Sequence, residues 1–185
     1  MNIFVLDYNP VLAAQYQADK HCVKMVLESA QILSTVAGGP YKPTHQNHPC
    51  TLWAGQNQTN FNWLVRHALA LCDEYTRRYH KRHKSQDIIE RIANAPPKLP
   101  VGISPFVQCM PDEYKHADPV IAYRRYYHSK SRFATWKTEP PYWWMTEDYV
   151  RFSNHDSRAN QQLSGDDSKG VRQLSPGEPH DRAVL

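Results

Sequence analysis

Apolar residues recur at three- and four-residue steps through the first part of the chain, and this spacing restricts the fold more than any other feature. Across 11–36, Ala14, Ala18, Cys22, Met25, Val26, Ile32 and Leu33 fall on one side of a helix. Gly38, Gly39 and Pro40 stop it. A second helix is expected up to Tyr79, capped by Thr59 or Asn60, with Phe61, Leu64, Val65, Ala68, Leu71, Cys72 and Tyr75 inward. A third is expected over 85–93, where Ser85 precedes Ile88, Ile89 and Ile92. The stretch 95–105 holds four prolines, so no helix crosses it. A fourth helix is expected over 118–133, with Pro119 in its first turn and Tyr123, Tyr126 and Tyr127 giving it an aromatic surface.

Around these helices lie less regular parts. Residues 3–6 read as a short strand or extended segment, and 41–51 as a loop stiffened by Pro43 and Pro49. Trp136, Trp143 and Trp144 are placed to lock a proline-interrupted segment onto the core, while 153–185 contains no aromatic residue and reads as disordered. The expectation is a mainly α protein: a single compact helical domain over 1–152, with a short N-terminal extended segment and a disordered polar C-terminal tail over 153–185. At 185 residues the chain fits one domain.

Charge and cysteines narrow the function classes. The formal net charge is +4, from 22 Lys and Arg against 18 Asp and Glu. Arg66, Arg77, Arg78, Lys81, Arg82 and Lys84 form one basic segment, and Lys115, Arg124, Arg125, Lys130, Arg132 and Lys137 a second. Two such segments could line one groove for an anionic partner, or be solvated helix faces. Cys22, Cys50, Cys72 and Cys109 make no CxxC pair, so neither a zinc knuckle nor a redox dithiol is indicated. The chain has no apolar run of membrane-spanning length and no basic leader before its N-terminal apolar residues, which places it in the cytoplasm without a membrane partner. Dinucleotide-binding, Walker, H-E-x-x-H and nucleophile-elbow motifs are also missing.

The polar residues with chemical potential gather at helix starts. His21, Lys24, Glu28 and Gln31 are spaced by three, four and three residues, so they share one helix face, with Asp19 just before them. A histidine, a lysine and a carboxylate on one cleft could move protons, hold an anion or ligate a metal; a solvated face with a Lys24–Glu28 pair is the plainer alternative. His45, Asn47 and His48 lie between prolines, and Trp53 follows. Zinc or iron held by His21, Glu28, His45 or His48 is possible, although no cofactor is required. Asn62, His67, Glu74 and Arg78 mark the second helix, where a Glu74 facing His21 and Glu28 would make a carboxylate pair. Gln108 could read a base edge and Phe106 or Tyr114 stack on it, while Tyr126 and Tyr127 beside Arg124 and Arg125 suit a nucleic-acid surface. Aromatic core packing is the competing role for each tyrosine.

The segments NIFVLDYNPVLAAQYQADKHCVKMVLESAQILSTV, YKPTHQNHPCTLW, EYTRRYHKRHKS and PFVQCMPDEYK resemble a family of short proteins of bacterial viruses and some bacteria, labelled pyrimidine-dimer DNA glycosylases. The resemblance spans 2–137. It implies a helical protein that flips a nucleotide, attacks the damaged one with an N-terminal amine and uses a carboxylate on an early helix. Glu28 is similar to that carboxylate, with Lys24 or His21 near the phosphate or sugar. The family's enzyme exposes an N-terminal threonine, whereas this sequence begins Met1-Asn2, so Met1 or Lys24 would supply the amine. The resulting expectation is a DNA base-processing enzyme, a glycosylase for damaged or modified pyrimidines, with DNA or a nucleotide as partner. A metal-dependent nucleic-acid enzyme and a non-enzymatic module binding nucleic acid or a host protein are the alternatives.

Overall fold

The N-terminal apolar run does not form a strand. Ile3, Phe4, Val5 and Leu6 are all buried, but the chain kinks at Phe4, where φ is 38° and the Leu6 N–H donates back to Phe4 O. Asn2 Oδ1 accepts the N–H groups of Ile3 and Phe4, so donors that a sheet would have paired are satisfied locally. The computed structural model describes residues 1–146, and no strand occurs among them. The expected tail over 153–185 lies outside the described residues.

Six helices follow among the described residues: α1 Pro10–Gln15, α2 Asp19–Ala37, α3 Pro49–Gln56, α4 Gln58–Tyr79, α5 Gln86–Asn94 and α6 Pro119–His128. Short 3-10 turns occupy Asp112–Tyr114 and Tyr142–Met145. Three helices begin with the same device, a capping side chain before a proline whose missing N–H costs nothing in the first turn. Asn9 precedes Pro10, His48 precedes Pro49 and Asp118 precedes Pro119, and each accepts a backbone N–H of its own first turn. Asn57, rather than Thr59 or Asn60, caps α4 by accepting from Asn60 N–H. Gly38 ends α2 in the left-handed conformation (φ 78°), which glycine adopts without a Cβ penalty.

The single helix expected over 11–36 is two. Residues 16–18 break it, although they contain neither glycine nor proline. The cause is tertiary: Arg78 reaches from α4 and donates from Nη2 to Gln15 O (2.9 Å) and from Nη1 to Gln17 O (2.8 Å) and Asp19 Oδ1 (3.0 Å). The carbonyls freed by the break therefore remain paired in a buried place. Glu74 accepts from Arg78 Nε at 2.6 Å and also pairs with Arg77. Two further boundaries differ: α3 starts inside the expected loop, because His48 and Pro49 act as cap and first-turn residue, and α6 ends at His128 rather than continuing to 133.

The core lies where α2 and α4 cross, closed by α1, α3 and α5. Met25, Val26, Ile32 and Leu33 of α2 meet Phe61, Leu64, Leu71 and Cys72 of α4, with Ile89 and Ile92 from α5. Tyr123, Tyr127 and Trp143 complete it, so the tryptophan segment is fastened as expected; Trp136 Nε1 also donates to Tyr16 O. No helix among the described residues is long and apolar enough to cross a membrane.

Candidate functional site

The start of α2 and the kinked N-terminus enclose a cleft of about 310 Å³, with α6 and Phe133 on its far side. His21, Lys24 and Glu28 all line it, which follows from their three- and four-residue spacing on α2. Glu28 is its most connected group. Oε2 accepts the Asn2 N–H at 3.2 Å and lies 3.8 Å from the Met1 amine, while Oε1 lies 3.1 Å from Lys24 Nζ. Only 8% of Glu28 is exposed, whereas the Lys24 side chain is 68% exposed and reaches the site from outside.

His21 is fixed from behind. The Tyr127 hydroxyl accepts the Ala18 N–H at 2.7 Å, so its own proton is available to donate to His21 Nδ1 at 2.8 Å. That assignment leaves Nε2 carrying the ring proton, as a neutral donor. Burial first, then the charges of Lys24 and Lys130, push the His21 pKa down to about 4. At neutral pH it is therefore a hydrogen-bond donor and not an imidazolium acid.

The walls are aromatic with lysines over them. Phe4 stacks on His21 at 4.6 Å and faces Tyr126 at 6.2 Å, an orientation that its positive φ makes possible. Strain of this kind in a bulky residue persists only where surroundings enforce it, and it concentrates at working sites. Lys130 Nζ lies 4.1 Å from the centre of the Tyr126 ring, and Lys20 Nζ 5.3 Å from that of Phe133. The N-terminal contacts to Glu28, and Phe4 and Phe133 as walls, had no local signal in the sequence, since they depend on how the chain returns to α2.

Other expected site residues are placed elsewhere. Asp19 is taken up by Arg78 and by the Lys137 N–H, and Gln31 does not line the cleft. His45 and Asn47 are exposed, with His45 Nδ1 on Thr44 Oγ1. Trp53 is buried against Phe106, and Asn62 is exposed and accepts from Gln58. Gln108 closes its own loop through both the N–H and the carbonyl of His116, and Tyr114 is buried beside Tyr126. Arg124 faces inward, donating to Leu6 O and pairing with Asp7, with its guanidinium 5.1 Å from the Trp143 ring centre; Arg125 is half-buried. Tyr127 is core.

Combinations that the sequence left open do not assemble at the cleft. Glu74 is held by Arg77 and Arg78 and makes no carboxylate pair with Glu28. His67 is a core histidine, in keeping with its place beside the Leu64 and Leu71 stripe: it is wholly buried with Gln17 and Trp63, and burial lowers its pKa to about 3. Three members of the first basic segment are paired within the chain: Arg77 with Glu74, Arg78 with Glu74 and Asp19, and Arg82 with Asp87 and Glu90. The ligand set of His21, Glu28, His45 and His48 is not brought together either. His48 instead stands with Cys50 and Cys109, whose donor atoms all lie within 4.8 Å of one another, a candidate metal-binding cluster. Cys50 Sγ donates to Cys109 Sγ at 3.3 Å, which raises the Cys50 pKa and lowers that of Cys109. The missing CxxC thus said nothing about this pair, which is 59 residues apart.

Residues 1–87 match a family model described as pyrimidine dimer DNA glycosylase. The match covers 87 of 185 residues, the stretch that holds Met1, His21, Lys24 and Glu28. No curated protein and no solved structure matches the chain.

Proposed function

We propose that the cleft is the active site of a DNA N-glycosylase for damaged or modified pyrimidines, with Glu28 at its reaction centre. One observation carries the reading: a buried carboxylate stands between two amines, Met1 N at 3.8 Å and Lys24 Nζ at 3.1 Å. A neutral amine attacks C1′ of the target nucleotide as the bond from C1′ to the base breaks, and the base leaves with the electron pair and takes up a proton. Loss of the amine proton and opening of the sugar ring then give an imine. Positive charge develops at C1′ and on the amine nitrogen, where an ionised Glu28 stabilises it.

The surroundings support the same chemistry. Tyr126 and Phe133 line the cleft as aromatic walls for an extruded base, Phe4 backs them from the core, and His21 Nε2–H can donate to the base or to the sugar. Lys130 and Lys20 are placed for flanking phosphates. The partner in this reading is DNA or a nucleotide, met in the cytoplasm, and the family match over 1–87 supports the choice of DNA. Of the two amines, Met1 is the proposed nucleophile, because it lies inside the cleft while Lys24 enters from solvent.

Borohydride trapping on ultraviolet-irradiated and undamaged DNA tests the reading. The expected result is a damage-dependent adduct that persists in Lys24→Ala, with peptide mass placing the reduced sugar on the amine of Met1. An adduct lost in Lys24→Ala would transfer the role to Lys24. Neither adduct nor base release on any damaged or modified pyrimidine substrate would overturn the glycosylase reading.

A further inference from the structure

We propose that Cys50, Cys109 and His48 form a binding site for one Zn²⁺ ion, with two thiolates and one imidazole as its protein ligands. The three donors converge from separate parts of the chain: His48 caps α3, Cys50 lies in its first turn, and Cys109 belongs to the segment following the prolines. Both cysteines are free thiols, and their sulfurs are 3.3 Å apart.

Distances favour an ion over the other product that two adjacent thiols can form. Two sulfurs bound to one tetrahedral zinc, with bonds of about 2.3 Å, stand roughly 3.8 Å apart. The observed pair needs to open by only about half an ångström to reach that value. A disulfide would require the same sulfurs to close to about 2.05 Å, a larger movement. Charge agrees, since two thiolates neutralise Zn²⁺ and no net charge is added where Cys50 is fully buried. Thiolate and imidazole donors together select zinc over hard cations such as magnesium or calcium.

Ligation has one identifiable local cost. His48 Nδ1 accepts the Cys50 N–H, and a neutral imidazole has a single free lone pair. If Nδ1 binds the ion, that lone pair is used; if Nε2 binds, Nδ1 carries the proton and ceases to accept. Either way the cap bond is exchanged for a coordinate bond, and the two thiolate bonds outweigh it.

The site stands behind the cleft. Asn2 Nδ2 donates to Cys109 O at 2.8 Å, and the Asn2 N–H donates to Glu28 Oε2. A zinc ion would tie the start of α3 to the Cys109 segment and brace Asn2, and so hold Glu28 in position. Three protein ligands leave one tetrahedral position for water. Binding at this site does not depend on which reaction the cleft performs.

The test uses the full chain, fully reduced, titrated with Co²⁺ as a spectroscopic probe and then with Zn²⁺. One Co²⁺ per chain is expected, with thiolate-to-cobalt charge-transfer bands and the intense visible bands of a tetrahedral site, all displaced by Zn²⁺. The bands should vanish in Cys50→Ala and in Cys109→Ala, and affinity should fall about tenfold or more in His48→Ala. Cys109 is only half-buried, so Cys109→Ala keeps the inference testable if the Cys50 variant unfolds. Zn²⁺ should also raise the melting temperature of the wild type and not of Cys109→Ala. Absence of thiolate bands in the reduced wild type, or their survival in Cys109→Ala, would overturn the assignment.

Discussion

Replacing Glu28 by Gln removes one charge from the cleft and almost no volume, which makes it the sharpest probe of the proposed chemistry. The nearest measure of where positive charge develops is the Met1 nitrogen, 3.8 Å from Oε2. At an effective dielectric of about 20, unit charges at that separation interact by about 4 kcal/mol. A transition state carrying roughly half to all of that charge loses about 2–4 kcal/mol, which slows the chemical step by about 30- to 1,000-fold. Single-turnover base release, followed by chromatography with excess enzyme, reads this step directly. Fluorescence anisotropy on the same DNA should show a dissociation constant within about threefold of wild type, because Glu28 is not a phosphate contact. Circular dichroism confirms that the variant is folded, since Glu28 also accepts the Asn2 N–H. A rate within about threefold of wild type would place the carboxylate away from the developing charge and refute the cleft as the reaction centre.

Other consequences can be measured on the same protein. Arg78→Met should reduce the unfolding free energy by about 3–5 kcal/mol in urea titrations, because the guanidinium is buried with Glu74, Asp19 and two carbonyls; a loss below about 1 kcal/mol would show that it does not hold the break between α1 and α2. Burial lowers the pKa values of His21 and His128 to about 4 and of His67 to about 3. Depressed folded-state values mean that the unfolded chain binds more protons, so stability is fully present above about pH 6.5 and is lost as pH falls towards 4, by up to about 1.4 kcal/mol per pH unit for each histidine. Stability independent of pH between 7 and 4 would contradict the three burials. Lys130→Ala should weaken DNA binding on every sequence and make the salt slope shallower by about one counterion; an unchanged slope would remove Lys130 from the phosphate path.

What was legible in the sequence is what repeats locally. The faces of α2 and α4 follow from apolar spacing, and His21, Lys24 and Glu28 line one cleft because residues three and four apart cannot avoid sharing a face. The break at 16–18 was illegible because Arg78, more than sixty residues later in sequence than the Gln15 carbonyl it binds, holds it open. Likewise Cys50 and Cys109 meet only after the proline-rich segment has crossed the ends of α3 and α4, where Pro100 O accepts the Gln58 N–H. Most instructive are the two glutamates with a basic partner four residues away, Lys24–Glu28 and Glu74–Arg78, which are nearly equivalent as sequence patterns. Burial separates them. The Arg78 side chain is 0% exposed and, with Arg77, occupies the Glu74 carboxylate, so that charge is used within the fold. Lys24 is 68% exposed and leaves Glu28 facing a cleft, with an amine on its other oxygen. A carboxylate already held by two guanidinium groups has little left to give a transition state, whereas one held by a solvent-exposed lysine can redirect its charge to a developing cation.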